Sequence, residues 1–233
     1  MPNFQTCLEE LRLILQSESR LIIDLPDGFQ RAAVLIPFIW REKGWSIIFT
    51  RRTANVPYHK NEISFPGGRY EADFDEDLIQ TALREVDEEL GIQKVKVLGL
   101  IDDLLTISKF VVTPVVGIIE DTKEVDAEEI PTQEIEYILN PLIYDLTNPE
   151  IFSIKEMKYQ DNFIFKVPFF NYTENEVIWG ATARILVNLL KKLNQLSLDC
   201  RLKLMKRYLW EGNGKINNGL DYVDNLKLIK RNS

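Results

Sequence analysis

The chain is poor in the residues that soft metal sites and thiol chemistry require. Its 233 residues hold one histidine, His59, and two cysteines, Cys7 and Cys200. One histidine cannot build a histidine-rich zinc site. Two cysteines with no CxxC spacing predict free thiols that serve as small apolar side chains in a reducing compartment. No apolar run approaches the ~18 residues of a membrane span, so no membrane partner is expected. Positive charge is short as well: 28 Lys and Arg face 36 Asp and Glu, a net charge of -8. Affinity for a nucleic acid polymer comes mostly from basic side chains releasing counterions, which sets that partner aside. A small phosphorylated nucleotide carried by metal ions remains compatible with the charge.

What is present reads as one domain with extensions. Phe4, Leu8, Leu11 and Leu15 recur at helical spacing, with Glu9, Glu10 and Arg12 between them. They predict an amphipathic N-terminal helix. Without a basic start or a continuous apolar stretch it does not read as a secretory signal. The expected location is cytoplasmic, or an organellar matrix in a eukaryote. Apolar runs at 32–40 and 45–50, separated by a polar turn at 41–44, predict a β-hairpin. Residues 51–65 are polar and irregular and end in the sharp loop Pro66-Gly67-Gly68.

A helix is predicted over 75–90, with Ile79, Leu83, Val86 and Leu90 as its apolar stripe and Gly91 as its C-terminal glycine. Strands follow at 95–100 and 110–119, joined through Asp102 and Asp103. Residues 120–129 read as a solvated acidic loop, and 134–139 as a strand. Asn140-Pro141-Leu142 opens a short helix. Two strands lie within 152–167, and a helix covers 176–194. The tail from Leu196 starts helical and basic, then turns rich in Gly and Asn over 212–219. Strands interrupted by two principal helices, with no repeat and no linker, predict a mixed α/β sandwich.

Chemistry concentrates in the helix. Glu85, Glu88 and Glu89 stand at i, i+3 and i+4, so three carboxylates project from one face. Alone, this is the pattern of an ordinary solvated acidic face. Three neighbours change the reading. Arg84 can organise one of the carboxylates. Glu76 lies about two helical turns back, at the same end. Gly67-Gly68 allows backbone to approach a ligand or metal closely. Carboxylates together with a backbone oxygen are the hard ligands that magnesium and manganese prefer.

Gly68, Glu76, Arg84, Glu85, Val86, Glu88, Glu89, Gly91 and Ile92 occupy the fixed positions of a motif that resembles the Nudix box. The departure is seven residues between Gly68 and Glu76 where the box has five. Upstream, Ile48 to Thr53 and His59 to Gly68 are similar to the signature of the coenzyme A pyrophosphatase branch. Downstream, Thr106 to Val116 and Ile178 to Arg184 look like it too. The chain departs from that signature at Pro57 and Asn61, positions associated with the coenzyme A ligand. The resemblance covers about residues 32–190.

The resemblance implies the α/β Nudix fold, a mixed β-sheet sandwiched between helices. A helical extension at 1–28 would precede a hydrolase domain at 29–195, and a partly helical tail would follow at 196–233. It implies hydrolysis of a pyrophosphate bond in a nucleoside diphosphate linked to X. Coenzyme A or its thioesters lead, giving 3',5'-ADP and 4'-phosphopantetheine. NADH, ADP-ribose or nucleoside triphosphates are the alternatives within enzymes, and a non-catalytic Nudix-fold ligand-binding module is the alternative outside them. Mg²⁺ or Mn²⁺ would be held by Glu85, Glu88, Glu89 and the Gly68 carbonyl, with Arg84 as support. Glu134 would act as a late ligand or base, in competition with Glu128 and Glu129. Arg52 would clamp a phosphate, alongside Thr53, His59, Phe65, Gly67 and Gly68 at the substrate. Arg51 reads as a surface charge, and Trp179-Gly180 as packing. The basic stretch 191–207 fits the acidic body or a second subunit, for a monomer or homodimer.

Overall fold

A computed structural model of the protein describes residues 4–17, 19–54, 61–121, 125, 133–159 and 163–204. Strand β1 (Gln30–Arg41) organises the rest because it is paired along both edges. β2 (Gly44–Ile47) and β5 (Gly67–Arg69) pair with it antiparallel at different heights, and β8 (Phe110–Ile119) pairs with it in parallel. β6 (Val95–Leu100) and β7 (Leu104–Leu105) complete a six-stranded sheet against β8. Parallel pairing of β1 with β8 demands a crossover, and helix α2 (Leu78–Leu90) lies on that path.

The two faces of β1 fill separate apolar clusters, as period-two alternation requires. Ala33, Leu35 and Ile39 pack with Ala82, Val86 and Leu90 of α2. Ala32, Ile36 and Phe38 belong with Leu8, Leu11 and Leu15 of α1 (Phe4–Ser17), Ile143 and Leu146 of the short α3 (Ile143–Leu146), and Leu186, Leu189 and Leu193 of α4 (Gly180–Leu193). The sheet is thus held between helices, as expected of a Nudix fold. Two three-stranded sheets flank it. One orders β4 (Ile63–Ser64), β3 (Phe49–Arg52) and β9 (Ile135–Leu139). The other orders β10 (Phe152–Tyr159), β11 (Phe163–Asn171) and β12 (Val177–Trp179).

Several sequence expectations need correction. The second hairpin strand is two strands: β2 stays in the large sheet and β3 enters the small one, with Ile48 at the break, where its N–H donates to the Pro37 carbonyl at 3.0 Å. The helix foreseen from 176 begins only at Gly180. Val177, Ile178 and Trp179 pair with β11 instead, and Gly180, at φ 64, turns the chain from strand into helix. Helix α2 begins at Leu78, capped by Asp77, whose side chain accepts from the Gln80 N–H at 2.8 Å. Its buried stripe is Ala82, Val86 and Leu90 with Thr81, while Leu83 is only half-buried. Gly91 ends it in the left-handed conformation, as predicted.

The cysteines do not remain separate thiols. Cys7 of α1 and Cys200 of α5 (Leu198–Leu204) are both fully buried and joined in a disulfide across 193 residues of sequence. Beside it, the Glu10 carboxylate accepts from the Ser197 backbone N–H and, at 2.9 Å, from its hydroxyl. Helix α5 and Leu196 therefore join the main core through α1. No helix among the described residues is long and apolar enough to cross a membrane.

Candidate active site

The glutamate face of α2 is organised by one side chain. Arg84 Nη1 donates to Glu85 at 2.9 Å and to Glu88 at 3.2 Å. Its Nη2 donates to the Arg69 carbonyl at 3.0 Å and, with Nε, grips Asp75 at 3.1 and 2.8 Å. The guanidinium is thereby held at both edges, a planar fork meeting a planar carboxylate. Asp75 is buried and also accepts from the Thr81 hydroxyl at 3.0 Å and the Glu71 N–H at 2.9 Å. The hydrogen bonds from Arg84, more than any other cause, hold the Asp75 carboxyl down at about 2.

Asp75, not Glu76, is therefore the acid that anchors Arg84. Glu76 sits before the N-cap, exposed, and is not part of the helix. An acid six residues before a buried threonine was the available signal, but spacing alone ranks Asp75, Glu76 and Asp77 equally.

The glycines are placed as the chemistry requires. β5 pairs with β1 through Gly67 and Gly68, and a Cβ on Gly68 would collide with the Glu85 carboxylate. A side chain at 68 would push the Glu85 carboxylate out of its present position. The Gly67 N–H donates to Glu89 at 3.3 Å. Burial first, and the nearby Glu85 charge second, push Glu89 up to about 8, although Arg52 and the Gly67 N–H pull it down. Burial also raises Glu85, partly offset by Arg84. Glu88 is different: its side chain is 60% exposed.

The β3 end supplies the opposite wall. Arg52 Nη2 pairs with Glu134 at 2.8 Å, and the Thr53 N–H donates to the Glu134 carbonyl at 2.8 Å. Arg52 Nε and Thr53 Oγ1 are buried and find no partner among the described residues. Unpaired buried polar atoms are costly, and three others occur among the described residues, Arg41 Nε, Trp45 Nε1 and Arg201 Nε. Arg51 is engaged elsewhere, with Glu136, Tyr137 and the Asn175 carbonyl. Phe65, expected at the substrate, is buried and stacked on Phe49 with centroids 4.6 Å apart, so it offers no surface to a ligand. His59, Pro57, Glu128 and Glu129 lie outside the described residues.

The donor set suits a hard divalent cation: three carboxylates and a backbone carbonyl, one carboxylate half-buried and held off ionisation by that burial and by the neighbouring Glu85 charge. In the arrangement described, Glu85 turns to Arg84 and Glu89 to Gly67. Among the described residues no three acids converge on one point.

A NUDIX domain model matches residues 29–138. The Nudix hydrolase NudL of Photorhabdus laumondii is 31% identical over 175 residues, covering 72% of this chain and 88% of that protein. NudL of Yersinia pestis is 32% identical over 175 residues, covering 71% and 80%. A MutT/nudix family protein of Enterococcus faecalis overlays loosely, with a TM-score of 0.44 and 11% identity over 84% of this chain and 78% of that one. The protein is thus a hydrolase of pyrophosphate bonds. It belongs to the Nudix hydrolase family, whose members generally use divalent metal ions.

Proposed function

We propose that this hydrolase cleaves coenzyme A or its thioesters into 3',5'-ADP and 4'-phosphopantetheine, with Mg²⁺ or Mn²⁺ as the cation. The observation that carries the reading is the meeting of two sequence segments around one carboxylate. Arg52, the last residue of β3, is close enough to Glu89 to stabilise its charge, and the Gly67 N–H of β5 donates to the same carboxylate at 3.3 Å. These are the segments similar to the coenzyme A pyrophosphatase signature.

Glu85, Glu88, Glu89 and the Gly68 carbonyl would hold the cation. When bound, it supplies charge neutralisation at the pyrophosphate and an acidified water. The remaining work falls to the chain's own groups. Arg84 orients Glu85 and Glu88 from behind, and Asp75 fixes Arg84. Such supporting contacts govern ligand geometry as much as the ligands do. Arg52 presents a guanidinium edge matched to a phosphate. Glu134, with its side chain 59% exposed, sits on Arg52 and is the carboxylate available to take a proton outside the helix. His59 belongs to the same proposal as a phosphate contact or loop support.

The test is mass spectrometry of products after incubation with coenzyme A and Mg²⁺, beside Glu88→Gln. Appearance of both products in the parent protein and their absence in the variant are expected. An intact parent reaction in Glu88→Gln would overturn the cation assignment. No cleavage of coenzyme A, with cleavage of NADH, ADP-ribose or a nucleoside triphosphate, would move the substrate and implicate Pro57 and Asn61.

A further inference from the structure

The sheet of β4, β3 and β9 slips its register by one residue where β3 reaches the site. Phe49, Thr50 and Arg51 of β3 lie opposite Leu139, Ile138 and Tyr137 of β9, but Arg52 lies opposite Ile135. Glu136 is the residue left over, which makes a β-bulge. Such a slip changes which side chains meet. In an unbroken ladder Arg52 would face Glu136, and Glu134 would fall opposite Ala54. With the bulge, Glu134 comes level with Thr53, whose N–H donates to the Glu134 carbonyl at 2.8 Å. The Glu134 carboxylate then reaches Arg52 Nη2 at 2.8 Å.

Arg51 holds the bulge. Successive residues of a strand point to opposite faces, yet Glu136 and Tyr137 both turn to this one side chain. Arg51 Nε donates to Glu136 at 3.2 Å and Nη1 to the Tyr137 hydroxyl at 3.4 Å, with the guanidinium carbon 5.6 Å from the Tyr137 ring centre. Nη1 also donates to the Asn175 carbonyl at 2.9 Å, and the Tyr137 hydroxyl donates to Glu176 at 3.2 Å. Glu176 closes its own turn: it accepts from the Thr173 hydroxyl at 3.1 Å, and its N–H donates to that hydroxyl oxygen at 3.1 Å. The bulge is therefore braced from the turn before β12. An isolated surface ion pair contributes little. This guanidinium instead joins both bulged residues to a third segment of chain.

The groups beside the bulge belong to the site. Arg52 and Glu134 both act on the Glu89 charge, the first favouring it and the second opposing it. We infer that Arg51 is a positioning residue: with Glu136 and Tyr137 it locks the β-bulge that sets Glu134 and Thr53 beside Arg52. It acts through those neighbours. The inference rests on the proposed placing of Arg52 at a substrate phosphate.

The test is a double-mutant cycle in kcat/KM among the parent, Arg51→Ala, Arg52→Ala and the double variant. It uses Mg²⁺ and whichever of coenzyme A, NADH, ADP-ribose or a nucleoside triphosphate the parent cleaves. Arg51→Ala should lower kcat/KM about 10–100-fold, as misplacement of a binding group does. Arg52→Ala should cost about tenfold or more in the parent. In the Arg51→Ala background it should cost less than about threefold, because Arg52 is already out of place. A side chain that only stabilised the fold would leave the Arg52→Ala factor the same in both backgrounds. Arg51→Lys should recover little, since one ammonium cannot replace the planar fork that meets Glu136, Tyr137 and Asn175 together. Without substrate, the Thr53 amide should exchange about tenfold faster or more in Arg51→Ala, as its bond to Glu134 loosens. Additive losses, or an unchanged Thr53 exchange rate, would overturn the lock and leave Arg52 at the substrate. Arg52→Ala without effect in the parent would remove the proposed phosphate contact and this inference with it. Should Arg51→Ala not fold, Glu136→Ala carries the same cycle with the same expectations.

Discussion

Two carboxylates withdrawn from water, Asp103 and Glu89, are treated in opposite ways by the same fold. Asp103 follows β6, its side chain 1% exposed. It accepts from Arg20 at 2.7 Å, Arg31 at 3.5 Å, the Thr113 hydroxyl at 2.7 Å and the Ile23 N–H at 3.0 Å. The Arg20 and Ile23 contacts bring in the segment after α1, and the Arg31 and Thr113 contacts fasten it to β1 and β8 of the central sheet. Glu89 has one long hydrogen bond from Gly67, a like charge beside it in Glu85, and a guanidinium at Arg52 that is already paired to Glu134. A satisfied buried carboxylate is a structural joint. An under-satisfied one beside two further acids is a candidate for function, since buried groups with perturbed protonation cluster at functional sites.

That contrast can be broken in five places, beginning with the largest expected loss of turnover. Glu88→Gln should cost turnover about 10²–10³-fold and leave the unfolding midpoint in place, because the exposed side chain contributes to the reaction and not to the core. Comparable turnover by both proteins at saturating Mg²⁺ would end the assignment. Asp103→Ala should do the reverse. Removing one member of a buried, paired network costs about 3–5 kcal/mol in denaturant unfolding, with turnover per folded molecule retained. A selective loss of turnover there would mean that Asp103 reaches the site.

Cys200→Ser removes a cross-link that closes most of the chain, and a loss of about 2–4 kcal/mol is expected. The same loss should follow reduction of the parent protein, and equal stability of oxidised and reduced forms would show the link to be energetically idle. Asp75→Asn joins both sides of the comparison. Loosening Arg84 should lower turnover about 10–100-fold through misplaced glutamates. The Asp75 carboxyl sits at about 2 against an ordinary 3.8. Its contribution to stability is complete above 3.8 and is lost as pH falls towards 2. An acid-unfolding curve should therefore flatten over that window in Asp75→Asn, and an unchanged curve would count against the clamp.

The pH effect at Glu89 has the opposite sign. Its carboxyl is raised from 4.5 to about 8 by burial. Between those values the unfolded chain has released a proton that the folded protein keeps, so stability of the metal-free protein should fall as pH rises from 4.5 to 8. Glu89→Gln should remove that slope, as seen in thermal midpoints across the range. A parent protein with a flat profile would show that Glu89 is better compensated than its contacts indicate.

Much of this was legible before any coordinates. The i, i+3, i+4 spacing of Glu85, Glu88 and Glu89 fixes a common face in any α-helix, and Gly91 marks its end. The strands at 95–100 and 110–119 follow from composition, whereas Gly67-Gly68, which read as a sharp loop, belongs to strand β5 paired with β1. What escaped the sequence depends on contacts between distant segments. Nothing local distinguishes Asp75 from Glu76 as the partner of Arg84, and Phe65 reads as a site residue until Phe49 is seen to cover it. The run at 45–50 looks continuous although its halves serve different sheets. Val177, Ile178 and Trp179 read as the start of a helix until β11 pairs with them.

The sequence by itself determined the chemistry on offer, because helical periodicity places three acids on one face whatever surrounds them. Tertiary structure alone decided which acid holds Arg84, which carboxylates are compensated, and that Cys7 meets Cys200 across 193 residues of sequence. Those outcomes turn on burial and on distances between chain segments far apart in sequence, and no local pattern of residues carries that information.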